Sequence, residues 1–260
     1  MGVKGLIAAI RTLTGMPIPG SESRELSSAL PWFPFVGLLL GSIIWFLSFI
    51  WALFPFQQWS AGCAMLLVVF DVLLTRGLHM DGLADWADSM GGFGREKRLA
   101  IMKDASTGAF GTLAVTLCLM TKWVALERLL SSDTLFWIVP VMVISRAMLI
   151  ELMTTLPYAR SGNGMARPFV ENSKKSGRIL SLIIAFVLCL ISGLIGVCLF
   201  TIAWMIAMIF RAYCLKKFSG ITGDLLGAAD EIIEVILLGL CALPGVYLSG
   251  CMGWGWHSWM

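Results

Sequence analysis

Seven stretches of this sequence are apolar for about the length a helix needs to cross a bilayer, and they leave little room for any other architecture. A spanning helix takes roughly 20 predominantly apolar residues. The stretches cover residues 33–54, 61–78, 108–130, 135–156, 179–195, 197–215 and 232–249. The fifth and sixth form one run broken only by Gly193 and Gly196, too long for a single crossing, and are read as two helices. Composition agrees: 58% of the 260 residues are hydrophobic and only 13% charged, about half the charged share of a soluble domain. Too few polar side chains remain to face water all round, so lipid must cover much of the surface. The expected fold is all-α, a polytopic membrane helical bundle of about seven transmembrane helices forming one domain over residues 1–260.

The charges set an orientation. One set of connections holds Lys4, Arg11 and Arg24, then Arg95, Lys97, Arg98 and Lys103, then Arg160, Arg167, Lys174, Lys175 and Arg178, then Lys216 and Lys217. The other set, around 55–60, 131–134, Gly196 and the tail after Gly250, has no Lys or Arg of its own, although Arg128 stands near one edge. Positive residues stay cytoplasmic. The N-terminus is therefore expected inside and the C-terminus outside. Trp51, Trp59, Trp137, Trp254 and Trp256 fall where an outer aromatic belt would stand. The net charge of +3 is small, and no basic run or basic face suggests nucleic acid. Seven cysteines lie mostly in apolar stretches, with neither a C-x-x-C pair nor a Cys/His cluster, and read as packing residues. The first twenty residues show no cleavable signal peptide.

Chemistry concentrates in three segments. The first is HMDGLADWADSMGG, residues 79–92. Asp81, Asp85 and Asp88 stand at i, i+4 and i+7, and share one face if the helix of the second span continues through them. Like charges on one face repel, and a divalent cation removes the repulsion. Oxygen ligands without sulfur suit Mg²⁺ or Mn²⁺. A solvated, capped helix face is the plainer alternative. The second is MKDASTGAFG, residues 102–111. Asp104 reads as a fourth metal ligand or as a residue favouring the following helix N-terminus. Lys103 reads as a ligand-binding cation, and Gly108 and Gly111 admit close approach of a helix or a phosphate. The third is GITGDLLGAADEIIE, residues 220–234. There Gly223, Asp224 and Gly227 fit a loop closing over a polar ligand, while Glu231 and Glu234 sit at the entrance of the last span as functional or merely interfacial acids.

Arg146 falls within the fourth span, where an arginine needs a partner or a ligand. Its two readings are a substrate phosphate, gripped bidentately, and a structural ion pair. Asp71 and Arg76 in the second span pose the same question. The loop 158–167, with Arg160 and Arg167 among glycines, suits an anion, or is simply a positive-inside loop. His79 reads as a proton relay near neutral pH or as an interfacial hydrogen-bonding residue. Together these groups suggest phosphoryl transfer, with a metal on a pyrophosphate, arginines on its oxygens and direct attack by a hydroxyl.

At GLHMDGLADWADSMGG, RLAIMKDASTGAFG, ISRAMLIELMTTLPYAR and GITGDLLGAADEIIE, with LTGMPIP and FPFVGLLLG near the N-terminus, the sequence resembles the adenosylcobinamide-GDP ribazoletransferase, or cobalamin synthase, family over nearly the whole chain. The resemblance implies transfer of adenosylcobinamide phosphate from its GDP adduct to α-ribazole or α-ribazole 5′-phosphate. GMP leaves, Mg²⁺ is required, and the setting is the cytoplasmic (inner) membrane of a prokaryote, with the active site facing the cytoplasm. The family's acidic motif falls on Asp81, Asp85 and Asp88, its second motif on Asp104, Gly108 and Gly111, and its C-terminal motif on Gly223, Asp224 and Gly227. Asp88 or His79 would accept the hydroxyl proton, and Arg146 and Arg160 would bind phosphate or nucleotide. Two departures stand out: Thr14-Gly15 where members usually have Thr-Arg, and Ala105 where a serine usually follows the aspartate. The expected partners are the two substrates and membrane lipid, without nucleic acid; a homo-oligomer stays open. CDP-alcohol phosphotransferases share the idea of cytoplasmic aspartates on consecutive spans but not the full motif. An ion-coupled transporter would need acids near mid-membrane and repeated halves, and a scaffold would need no aligned acids.

Overall fold

Among the described residues the chain forms eleven α-helices. The computed structural model describes residues 2–21, 26–162 and 164–245. In chain order the helices are α1 (Val3–Leu13), α2 (Phe33–Ala52), α3 (Ser60–Leu74), α4 (Leu78–Ser89), α5 (Arg95–Ile101), α6 (Ala109–Ser131), α7 (Ile138–Thr155), α8 (Arg167–Glu171), α9 (Lys175–Leu190), α10 (Gly193–Phe218) and α11 (Gly223–Ala242). No strand forms among the described residues, and one isolated bridge joins Tyr158 to Ile221.

Helix α7 is the axis of the bundle, with nearly every side chain from Pro140 to Met153 buried. Its neighbours reach it through small residues. On α2, a Cβ at Gly37 would strike the Met142 carbonyl, and one at Gly41 would lie 2.8 Å from the Val139 Cα. The pair is a G-x-x-x-G face, which lets two backbones approach inside a membrane. The outer helices keep bulky apolar side chains outward, among them Phe46, Phe49, Leu113, Leu117, Val124 and Ile209. They give the bundle an apolar outer surface.

Among the described residues, four segments are long and apolar enough to cross a membrane: Leu26–Ala52, Ala109–Ser131, Leu135–Thr155 and Gly193–Phe218. A fifth is counted if α3 and α4 are taken as one broken span. Over the described residues, each predicted stretch falls mostly on a helix, but not all seven are long enough to span. However, α3 has only 15 residues, about 22 Å of rise against a hydrocarbon core of roughly 30 Å. The expected helix running straight from the second span into the aspartates is not formed. Arg76 and Gly77 both adopt left-handed backbone, at φ 55° and 65°, and α4 leaves α3 at 88°. The long fifth-and-sixth run is indeed two helices, divided at Ile191–Ser192, with left-handed Gly193 opening α10. The last helix begins at Gly223, nine residues before the expected 232, so its acids are helical and mostly buried. The end of that expected span, 246–249, lies outside the described residues, as do Trp254 and Trp256. Trp51 and Trp59 do cluster, with rings 6.4 Å apart, at the α2–α3 connection. Trp137 does not belong to any belt: it is fully buried under α7.

The basic connections come together on one face. Arg95 donates to the carbonyls of Phe218 and Ala159 at 2.7 Å each. Arg160 donates to the Met102 carbonyl at 3.1 Å. These bonds tie the start of α5, the end of α10, the 157–160 loop and the turn after α5 into a cap, and α4 lies in it.

Candidate active site

Two close helix crossings build the site. Helix α4 lies on the N-terminal half of α11 because neither has side chains in the way. A Cβ at Gly82 would be 2.6 Å from the Asp224 carbonyl, and one at Gly227 would be 3.1 Å from the His79 Cα. Thr222 caps α11, its hydroxyl accepting from the Leu225 N–H. The Tyr158–Ile221 bridge, with Ala159 N–H donating to the Ile221 carbonyl and Ile221 N–H to the Pro157 carbonyl, each at 2.9 Å, fixes the 157–160 loop against that cap. The result places Arg160 2.6 Å from Asp224.

Asp81, Asp85, Asp224 and Arg160 thus share one locality. Burial first, then the charges of Asp224 and Asp81, push the Asp85 carboxyl up to about 7, against the opposing pull of Arg160. Three acids facing one arginine is a deficit of positive charge. Their oxygens are hard donors, and no cysteine stands among them, so the set suits a hard divalent cation. Asp81 is exposed and belongs to the walls of two cavities. The smaller, about 140 Å³, is lined by His79, Tyr158, Arg160, Gly223, Asp224 and others. The larger, about 720 Å³, runs from Asp81 along Thr107, Thr112 and Thr116 to Arg11 and Arg76.

Asp88 faces elsewhere. Its two oxygens accept from the Gly108 N–H at 2.7 Å and the Gly111 N–H at 2.8 Å. It caps the start of α6, where free N–H groups and the helix dipole favour an anion. What Gly108 and Gly111 admit is this carboxylate: a Cβ at Gly108 would lie 2.6 Å from it, and one at Gly111 would collide with it. Gly227 likewise serves helix packing, while Gly223 stays open to the cavity. Asp104 stands in the bordering turn, exposed, and accepts from both the N–H and the hydroxyl of Ser106, at 3.1 and 2.7 Å. Those bonds hold its carboxyl below the usual carboxylate range. Lys103 beside it is exposed, outside both cavity walls.

Arg146 does not reach either cavity. It is buried and paired with Asp230 at 2.9 Å and Glu234 at 2.6 Å. Lys122, also buried, lies within 2.8 Å of Asp71, 2.8 Å of Glu231 and 2.6 Å of Glu234. The acids expected at the entrance of the last span are therefore the inner face of a buried network linking α3, α6, α7 and α11. Glu151 takes another partner, Arg178, at 2.6 and 2.7 Å. His79 connects network and site: its Nδ1 is 2.7 Å from Asp230, and its ring borders the smaller cavity. Among the described residues, His79, Asp230 and Glu231 are the one set of three ligand-type side chains gathered within 4.8 Å; Lys122 and Arg146 already neutralise both carboxylates. Asp81, Asp85 and Asp224 form no set that tight. Lys122 and Asp230 escape a reading by motif. The signal was present, since Lys122 is a cation in mid-span, and Asp230 and Glu234 are one turn apart on a single face.

The family described as Cobalamin-5-phosphate synthase has a sequence profile that matches residues 5–242. An adenosylcobinamide-GDP ribazoletransferase of Chlorobium phaeobacteroides (strain BS1) is 38% identical over 96% of this chain and 100% of its own. The enzyme of that name from Chlorobaculum tepidum is 38% identical over 93% of this chain and 96% of its own. That of Syntrophobacter fumaroxidans is 35% identical over 92% and 97%. No solved structure matches the chain.

Proposed function

Because the chain belongs to the Cobalamin-5-phosphate synthase family, we propose that it is an adenosylcobinamide-GDP ribazoletransferase, a membrane enzyme that joins the adenosylcobinamide phosphate of the GDP adduct to α-ribazole or its 5′-phosphate and releases GMP. The convergence of Asp81, Asp85 and Asp224 with Arg160 beside two cavities is the observation that carries the reading. The family match, rather than the charges alone, sets aside a transporter or a scaffold.

Asp81, Asp85 and Asp224 would hold Mg²⁺, with Mn²⁺ as a substitute, and Asp104 would join them only by giving up its bonds to Ser106. When bound, the ion would neutralise the diphosphate and stabilise the charge that develops as GMP departs. Arg160 takes phosphate oxygens, exchanging Asp224 for substrate. The acceptor hydroxyl attacks the phosphorus on the cobinamide side. A new P–O bond forms, the bond to the bridging oxygen breaks, and GMP leaves with that electron pair. The proton goes to His79, whose Nδ1 is held by Asp230, so the imidazolium gains a carboxylate partner. Asp88 is the weaker base, because both its oxygens are committed to α6; its part is to fix α4 against α6. Arg95 and Arg160 lie in the cap that carries the site, and because positive residues stay cytoplasmic this supports a site on the cytoplasmic side of the inner membrane. The test is GMP release by purified protein given adenosylcobinamide-GDP and α-ribazole. Release with Mg²⁺ and none with excess EDTA is expected. Equal release in both contradicts the metal role.

A further inference from the structure

We propose that Arg76 is a phosphate-binding arginine of this site, holding the diphosphate of the nucleotide-bearing substrate in the larger cavity that Asp81 also lines. The inference rests on the transferase reading. It begins with the backbone. Arg76 adopts φ 55°, one of three non-glycine residues in left-handed conformation among those described; the others are Asp133 and Ser219. Short polar residues tolerate that region, whereas a long side chain there is disfavoured. Glycine would make the same turn without strain, and Gly77 does so next door. Strain held at the rim of a cavity points to use of the side chain.

The surroundings aim that side chain. Gly15 N–H donates to the Leu74 carbonyl at 2.6 Å, which lays residue 15 against the α3–α4 turn. The Arg76 stem crosses Gly15 so closely that a Cβ there would be 2.8 Å from its Cγ, and Arg76 Nη2 donates to the Gly15 carbonyl at 3.3 Å. The guanidinium is thereby anchored at one nitrogen in the wall that also carries Asp81, Thr107 and Thr112. Arg146, Arg160, Arg167 and Arg178 are each paired with a carboxylate. Arg76, exposed, forms no such pair among the described residues. An anchored, unpaired guanidinium facing a cation site is the geometry that grips a phosphate bidentately.

Three variants test this: Arg76→Gly, Arg76→Gln and Arg76→Lys. Because the backbone is left-handed, Arg76→Gly should melt no lower than the parent, so loss of function cannot be blamed on misfolding. The KM for adenosylcobinamide-GDP should rise about tenfold to a hundredfold in Gly and Gln, and less in Lys, as for a lost charged hydrogen bond. The KM for α-ribazole should stay within twofold. GDP binding in Mg²⁺, measured by calorimetry, reads the same contact without turnover and should weaken by a similar factor. Unchanged GDP affinity in Arg76→Gly overturns the role of Arg76 even if the parent releases GMP normally. A parent that binds GDP through Arg76 yet releases no GMP overturns the transferase reading instead.

Discussion

At the scale of single residues, Asp81 and Asp88 have different parts in the proposed site: one lines its cavities and the other holds a helix in place. They lie two helical turns apart on α4. Asp88 has both oxygens on the α6 N-terminus, while Asp81 is exposed and makes no such bond. Asp88→Asn keeps the shape but turns a donor toward an N–H. It should lower stability by about 1–3 kcal/mol, visible as a lower melting temperature in detergent. Asp81→Asn should leave the melting temperature unchanged or raise it, since it removes repulsion, and should abolish GMP release. Equal losses of stability in both would remove the distinction. The carboxylate spacing at 81, 85 and 88 was legible in the sequence as one face of a helix. Which carboxylate lines a cavity and which caps a neighbouring helix was not, because that depends on where α6 begins in space.

At the scale of elements, the decisive features are a bend and a buried network. Apolar periodicity locates α2, α6, α7 and α10, since lipid imposes length and composition on spanning helices. The bend between α3 and α4 is set by two left-handed residues. Gly77 advertises that conformation; Arg76 does not, because nothing in the residue type signals a positive φ. The network was hidden for a related reason. Lys122, Arg146, Asp71, Asp230, Glu231 and Glu234 come from four helices, and only their packing shows that each cation has a partner. Removing one partner from such a set leaves buried charge uncompensated, at about 3–5 kcal/mol. Lys122→Met should therefore fail to accumulate or should melt far below the parent. Paired neutralisation, Lys122→Met with Glu234→Gln, should recover part of the loss. A single Lys122→Met variant with parental stability would show that the network contributes nothing.

Over its described residues the molecule is a helical bundle around α7 with an apolar outer surface, capped on its basic face by α1, α4, α5, α8 and the loops between them. The long apolar runs made the bundle legible, and the motifs made the family legible. The cap was not, since α1 and α5 are short and their placement depends on contacts such as those of Arg95. That cap brings carboxylates of α4 and α11 to one place, which no spacing along the chain could fix. A direct measurement of this is Mn²⁺ binding by purified protein in detergent, followed by electron paramagnetic resonance with and without GDP. Convergence of α4 and α11 predicts bound Mn²⁺ in the parent, with its signal lost in Asp85→Asn on one helix and equally in Asp224→Asn on the other. Full Mn²⁺ binding in either variant would contradict it.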